Sequence, residues 1–395
     1  MNSYVDARTG HPFKWWYTVG ILACFCLLVY GAFAGWQYMR VSSQLEMLKN
    51  ANAAVREKAA EALGQSKSSR AVEQLIAALD DPDPGVQGNA ATALGKIKDP
   101  RAIQSLMTTI KDAVKDGKAK KGTDDVYFYT DEQRSRLDVA QKAAEALGNI
   151  GVPALDVLMA AFKDKDTDLS GCAGSGLVMM GAPAVDALIA EVRDPNSGVR
   201  SGAVQLLGKI RDPRAVPPLI DVLQVKDLQW NAAYSLGEIG DPRAVDGLIA
   251  ALQNKDAEFR EEAANALGKI KDPRADAALT AALKDPEPKV LHAAANALGL
   301  INDPQAVDVL LTALREHNAE IIAGANNFFI RRGEPGSEDA LIEALNKAGD
   351  QYMAVDFLNS GNQKLHDAAN QWASRNNYQV TYLPGSKSTG WGDKQ

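Results

Sequence analysis

Apolar positions along this chain follow three patterns. Between Lys14 and Arg40 no charge interrupts WWYTVGILACFCLLVYGAFAGWQYM, residues 15–39, which would reach roughly 37 Å as a helix. From about residue 50 to 349 the apolar positions recur at helical spacing in short blocks, punctuated by Gly and by Asp-Pro. From Tyr382 the periodicity ends in YLPGSKSTGWGDKQ, rich in Gly, Ser and Pro, so 379–395 is predicted to be a flexible tail.

The middle pattern is a repeat. GKIKDPRA stands at 95–102 and again at 268–275, with GKIRDPRA at 208–215 and GEIGDPRA at 237–244. Aligning on the glycine or its replacement gives Gly64, Gly95, Gly148, Val178, Gly208, Gly237, Gly268, Gly299 and Ile330, in steps of 31, 53, 30, 30, 29, 31, 31 and 31. About nine units of some 30 residues follow, one carrying an insertion at 111–133. Each unit reads as two helices. In FREEAANALGKI (259–270), Phe259, Ala263, Ala266 and Leu267 form one side, with Arg260, Glu261 and Asn265 towards water. In AVDGLIAAL (244–252), Val245, Leu248, Ile249 and Leu252 form the stripe of the second helix. Neither helix buries its apolar face alone, so the units must stack.

The octapeptide lies between the two helices. Gly268 is expected to take the left-handed conformation that closes the first, Asp272 to cap the second, and Pro273 to open it where its missing N–H costs nothing. Arg274, matched by Arg70, Arg101, Arg214 and Arg243, is expected to pair with an acid of the adjacent turn.

Units of this ALGKIKDPRAVDxLIxAL character resemble the HEAT-like repeats of the phycobilisome lyase type. The resemblance covers about 50–349 and implies an all-α fold, a right-handed α-solenoid over 40–349; the uncharged run 15–39 is expected to precede it as a single transmembrane helix. Capping helices are expected over 350–378. Related hydroxylases hold metal through His-Glu pairs, but His11, His292, His317 and His366 supply no such dipeptide. No metal, cofactor or catalytic residue is expected.

The N-terminal pattern brings in a second partner, the lipid bilayer. Trp15, Trp16 and Tyr17 at one end and Trp36 and Tyr38 at the other suit the headgroup region. A cleaved leader is the rival reading, since Ala32-Phe33-Ala34 precedes Gly35. Gly31 and Gly35 form a GxxxG through which two copies would pair as a homodimer. Arg8 and Lys14 are balanced by Arg40 and Lys49, so only the usual behaviour of a first helix places the body on the extracytoplasmic side. SQLEMLKNANA reads as a second helix lacking its first, continuous with the span and leaving little linker.

Charge and cysteine only exclude. A net charge of −7 without a dominant basic cluster argues against nucleic acid. Cys24 and Cys26 lie in the apolar run and Cys172 is isolated, so neither a disulfide framework nor a CxxC site exists. Cys172 reads as a packing residue in DLSGCAGSGLVMMG, whose glycines predict a weakened helix.

Departures from the repeat are the candidate contact sites. They are Tyr127, Phe128 and Tyr129 in the insertion, and Trp230 with Tyr234, four apart where the next unit has Glu261 and Asn265. A column of acids on the second helices, Glu73, Asp156, Asp186, Asp246, Asp308 and Asp339, lies beside Ala77, Ala160, Ala190 and Ala250. It predicts a shallow acidic groove able to admit a helix or a basic segment. Asn265, Asn296 and Asn327 are expected to form an internal hydrogen-bond ladder. The expectation for function is a membrane-anchored, non-enzymatic scaffold, adaptor or assembly factor that binds proteins. The competing expectation is a lyase-like enzyme subunit holding a small molecule or modified protein in the groove.

Overall fold

The computed structural model describes residues 35–117, 130–334 and 336–378, and the backbone of 120–121, 127–128, 380–382 and 389–391. The chain divides between Met180 and Gly181 into two compact units. The N-terminal unit holds the paired helices Ala53–Ser66 and Val72–Ala77, Pro84–Ile97 and Ile103–Asp116, Asp131–Ile150 and Leu155–Phe162, then Thr167–Met180. The C-terminal unit begins with Val185–Arg193. Its pairs are Arg200–Ile210 and Val216–Asp221, Gln229–Ile239 and Val245–Ala251, Ala257–Ile270 and Asp276–Ala282, and Pro288–Ile301 and Pro304–Arg315. Beyond these, a broken first helix, Ala319–Gly324 with Asn326–Arg332, pairs with Ser337–Ala348, and a last hairpin comprises Gln351–Asn359 and Gln363–Arg375. Each unit of the repeat is thus the expected helical hairpin, and Leu63, Leu75, Leu94, Leu236, Leu248, Leu267 and Leu279 are fully buried between hairpins.

The turn chemistry differs from expectation at one residue. Gly268 lies inside the first helix, and Lys271, three residues on, is left-handed at φ 59°. Lys98, Arg211 and Asn302 do the same at φ 61°, 58° and 54°. Gly268 has another reason: a Cβ there would stand 2.8 Å from Ala297 Cα of the next first helix. Gly64 meets Ala93 Cα at 2.8 Å in the same way, so the repeated glycine sets the helix-to-helix approach. The Asp-Pro half behaves as predicted, with Asp99, Asp212, Asp241 and Asp272 each accepting from the backbone N–H two residues on. What it opens is a short Pro-Arg-Ala 3₁₀ turn ahead of the second helix.

Other expectations are refined. Arg260, expected towards water, makes a bidentate pair with Asp285 at 2.7 and 2.8 Å and also donates to Asn254 O; Arg56 pairs with Asp81 identically. The helix Thr167–Met180 is unbroken despite its glycines, and Gly176 answers to packing, since a Cβ there would lie 2.6 Å from Ala144 O. The insertion is partly helical: Ile103–Asp116 extends into it, Lys120–Lys121 pairs antiparallel with Tyr127–Phe128, and the next helix starts at Asp131 under a Thr130/Gln133 capping box. In the expected loose tail, Val380–Tyr382 pairs antiparallel with Thr389–Trp391, as its β-branched and aromatic residues favour.

The predicted span 15–39 falls outside the described residues except for its last five. Among the described residues no single helix is long and apolar enough to cross a membrane. Residues 35–47 are one helix, so 35–39 run without a break into the half-unit. Arg70 sits over the Tyr38 ring at 3.7 Å and donates to Ser42 Oγ at 3.4 Å, tying this helix to the first hairpin. Gly31 lies outside the described residues, and a Cβ on Gly35 would meet nothing within 4 Å.

Candidate protein-binding site

The acid column does not stand as an open groove. Arg101 bridges its own Asp99 at 2.7 Å and the preceding repeat's Glu73 at 2.8 Å, and Arg214 does the same with Asp212 at 2.9 Å and Asp186 at 3.1 Å. Arg274 reaches Asp246 at 3.7 Å, Arg315 reaches Asp308 at 3.6 Å and Lys364 reaches Asp339 at 2.6 Å. Each Arg of the DPR turn also donates to a carbonyl one unit back: Ser69 O, Ala182 O, Pro213 O and Pro242 O. Only Asp156 of the column has no ion pair among the described residues. The Arg-to-acid pairing expected from sequence is therefore present at Arg101, Arg214 and Arg274 but not, among the described residues, at Arg243, whose only acid is its own Asp241, or at Arg70, and where present it balances the charge that was expected to attract a basic segment. These pairs are exposed, so their role is alignment of successive turns more than stability.

The aromatic pair does stand open. Trp230 and Tyr234 are 47% and 40% exposed and stack with centroids 5.7 Å apart and planes within 8°. Their helix Gln229–Ile239 is held from beneath: Asn231 Nδ2 donates to Ser201 Oγ at 2.8 Å and the Ser235 hydroxyl to Val204 O at 3.0 Å. Lys269 places its ammonium 4.4 Å from the Tyr234 centroid and 2.9 Å from Glu238 Oε1. Hydrogen bonds from Lys269 and then Arg211 hold the Glu238 carboxyl below the usual carboxylate range, so it stays charged and fixes the lysine. The result is a rigid, amphipathic platform. Of the other aromatic candidates, Tyr127 and Phe128 lie in the short hairpin and Tyr129 falls outside the described residues.

The same face continues through the following first helices, and there the sequence reading missed a site. Asn265 is half-buried and Asn296 and Asn327 are exposed, so they form no internal ladder. Asn327 donates to Asp356 Oδ2 at 2.7 Å, while the Asn265 and Asn296 amides have no side-chain partner among the described residues. They border a cavity of 440 Å³ that reaches from Glu261 to Tyr352. Ala323, Gly324, Asn326 and Asn327, on either side of the break at Ala325, belong to its lining. Gly324 approaches the preceding first helix so closely that a Cβ would lie 2.6 Å from His292 Cα. Past the break Asn326 turns inwards, 8% exposed, with Nδ2 bonded to Ala323 O at 3.2 Å and Oδ1 buried without a donor. The Nε2 of His292 is likewise unpartnered, and burial pushes its pKa down, so the ring is neutral at pH 7. Burial pushes Asp356 up from the usual carboxylate value, against the Asn327 hydrogen bond.

A second cavity, of 510 Å³, shares Asn296 and Asn327 with the first but is lined by Lys271, Phe328, Arg331 and Arg332. The signal was present in the sequence, where Phe328-Phe329 and Arg331-Arg332 replace the Gly-Lys-Ile turn. A terminal repeat's need to cap its exposed core accounts for such a departure equally well, which is why the sequence does not single it out as a site.

Among the described residues no three of His, Cys, Asp or Glu gather as a metal would require. Burial, followed by Asp168 and Asp166, raises the Cys172 thiol pKa, which keeps it protonated.

Several solved structures are similar to the chain. Similar solved structures include human deoxyhypusine hydroxylase in complex with glycerol, 23% identical over 68% of this chain and 98% of that one, with a TM-score of 0.28. An engineered protein is 20% identical over 85% and 98% of the two chains, with a TM-score of 0.35. The karyopherin Kap121p bound to the extreme C-terminus of the protein phosphatase Cdc14p is 15% identical over 85% of this chain and 45% of that one, with a TM-score of 0.47. No curated protein matches the chain. The PBS lyase HEAT-like repeat family matches residues 139–164. The family of HEAT repeats matches residues 42–119, 172–227, 225–286 and 276–355, more than half of the chain, and the chain belongs to that family.

Proposed function

We propose that the chain is a non-enzymatic scaffold, adaptor or assembly factor that binds other proteins through the first-helix face of its C-terminal unit. The observation that carries this reading is the Trp230–Tyr234 stack, exposed, rigidly supported and flanked by Lys269. Aromatic rings of this kind lose little conformational entropy on binding and offer both apolar and polar contact. Residues 15–39 hold the scaffold at a cytoplasmic membrane with its body on the extracytoplasmic side, a reading supported by the uncharged run and its aromatic ends. Tyr127 and Phe128 offer a lesser contact.

The test is a photoreactive residue placed at Trp230, or as control at the exposed Val152, in chain expressed in native membranes. Protein adducts are expected at 230 and not at 152. Equal adducts at both positions, or none at 230, would remove the aromatic face from the reading. Anchoring is read separately by alkaline extraction: the whole chain stays with the membrane and a chain beginning at residue 40 is released. Release of the whole chain ends the anchor proposal.

A further inference from the structure

The scaffold reading leaves the two cavities beyond Trp230 unassigned, and their charges are opposite. The first is rich in acceptors. The Asn326 Oδ1 has no donor, Glu261 and Asp350 line the wall, and Asp356 stands behind Asn327. Of the Asp350 carboxylate, Oδ1 is occupied by the Tyr352 and Met353 N–H groups. The one cation in the lining, Lys289, is drawn to Glu258 at 3.6 Å and Glu261 at 3.8 Å, and His292 is neutral. Tyr352 and Met353 supply apolar wall. Such a site takes a long alkyl stem ending in an N–H-rich cation.

The second cavity is the reverse. Arg332 is engaged by Glu334, but Lys271 and Arg331 have no ion pair among the described residues, and Phe328 gives the apolar surface. It takes a carboxylate. Between the two stand the amides of Asn296 and Asn327, each offering both a donor and an acceptor to a peptide group. Neighbouring helices lie about 10 Å apart, which an extended chain crosses in about three residues at about 3.3 Å each.

We propose that the two cavities form one docking site for an extended segment of a partner protein, carrying a lysine or arginine and, about three residues away, an aspartate or glutamate. The basic side chain enters the cavity that Glu261, Asp350 and Asn326 line, and the acid meets Arg331 and Lys271. A free amine would satisfy only one cavity, whereas a segment bearing both charges satisfies both, which is why a protein segment is the occupant. The inference rests on the scaffold reading and gives it a partner chemistry.

The experiment measures fluorescence anisotropy of labelled alanine-based peptides binding the full chain in detergent. The peptides carry Lys and Glu at separations of one to six residues, Lys alone or Glu alone, and cadaverine serves as a free amine. The expected result is a maximum near three residues, with the single-charge peptides at least about tenfold weaker, as loss of one charge-assisted hydrogen bond implies. Arg331→Glu, an exposed substitution, should weaken the Lys/Glu peptide about tenfold and recover affinity for a Lys/Lys peptide. Asn326→Leu should abolish binding at unchanged helicity; if it unfolds, the Arg331 charge exchange alone decides. Binding independent of separation, competition by cadaverine at equal concentration, or absence of recovery in the exchange overturns the proposal. Adducts at Trp230 together with any of these failures leave the scaffold reading standing and remove only the docking site.

Discussion

Asp276 offers the sharpest test of how this stack is held together. Its position after the alanine of the turn is filled in seven other hairpins by Val72, Ile103, Leu155, Val185, Val216, Val245 and Val307. Asp276 keeps that buried place at 2% exposure, with neither carboxyl oxygen receiving a donor. Burial, and then the facing carboxylate of Asp303, pushes its pKa up from 3.8 to about 7. The folded state therefore retains a proton that the unfolded state gives up. Below about pH 4 both states are protonated and nothing is lost; between there and about pH 7 stability falls as pH rises. A rise of about three units corresponds to about 4 kcal/mol of penalty in full above pH 7. Asp276→Val, the residue of the other repeats, should remove it. Thermal and urea unfolding at pH 5 and pH 8 measure the effect: the variant should be stabilised by several kcal/mol at pH 8, by much less at pH 5, and Asp276→Asn should lie between. Equal stability of the variant and the natural chain at pH 8, with parallel pH profiles, would refute the reasoning.

Further consequences follow from the packing. Arg260→Leu leaves Asp285 partly buried without its bidentate partner, both side chains being 12% and 10% exposed, and should cost about 2–3 kcal/mol in urea unfolding. Lysine at 260 should recover only part of this, since it cannot bond in two places. Gly268→Val drives a side chain against the Ala297 backbone at 2.8 Å and should cost about 1–3 kcal/mol, read as a lowered midpoint. Cys172, its pKa raised by burial and neighbouring acids, should react with iodoacetamide at pH 8 far more slowly than free cysteine; reaction at the free rate would contradict its assigned environment.

The fold was legible because the repeat is a packing rule written many times. A buried leucine stripe, an Asp-Pro start and a fixed step recur often enough that the hairpins could be placed within a few residues. The function of single residues inside that rule was less legible. Gly268 was assigned to backbone conformation, yet a lysine tolerates φ 59° three residues later and the glycine answers to a neighbouring helix. Nothing local in the sequence reveals such an inter-repeat distance. The acid column reads as a groove although the same arginines that are expected to pair with acids of the adjacent turn neutralise part of it, and the asparagines read as a ladder without the helix break at Ala325 that turns Asn326 inwards. Trp230 and Tyr234 were visible because two large aromatics on a polar helical face violate a pattern that is itself local.

Two buried violations of the repeat, Asp276 and Asn326, fall in hairpins of the C-terminal unit separated by one, Pro288–Ile301 with Pro304–Arg315, and their effects should be coupled through it. In a stack each hairpin is stabilised mainly by its neighbours, so a penalty at Asp276 is borne by the helices next to it, including Pro304–Arg315, which Asp303 caps through Ala306 N at 2.8 Å. The hairpins beyond, where the Asn326 cavity lies, then depend on a weakened support above pH 7. Hydrogen exchange corrected for intrinsic rates should therefore show lower protection over 319–375 at pH 8 than at pH 5, with Asp276→Val restoring it. Protection unchanged by both pH and substitution would mean that the two violations are independent, and that the cavity is held open by the helix break alone.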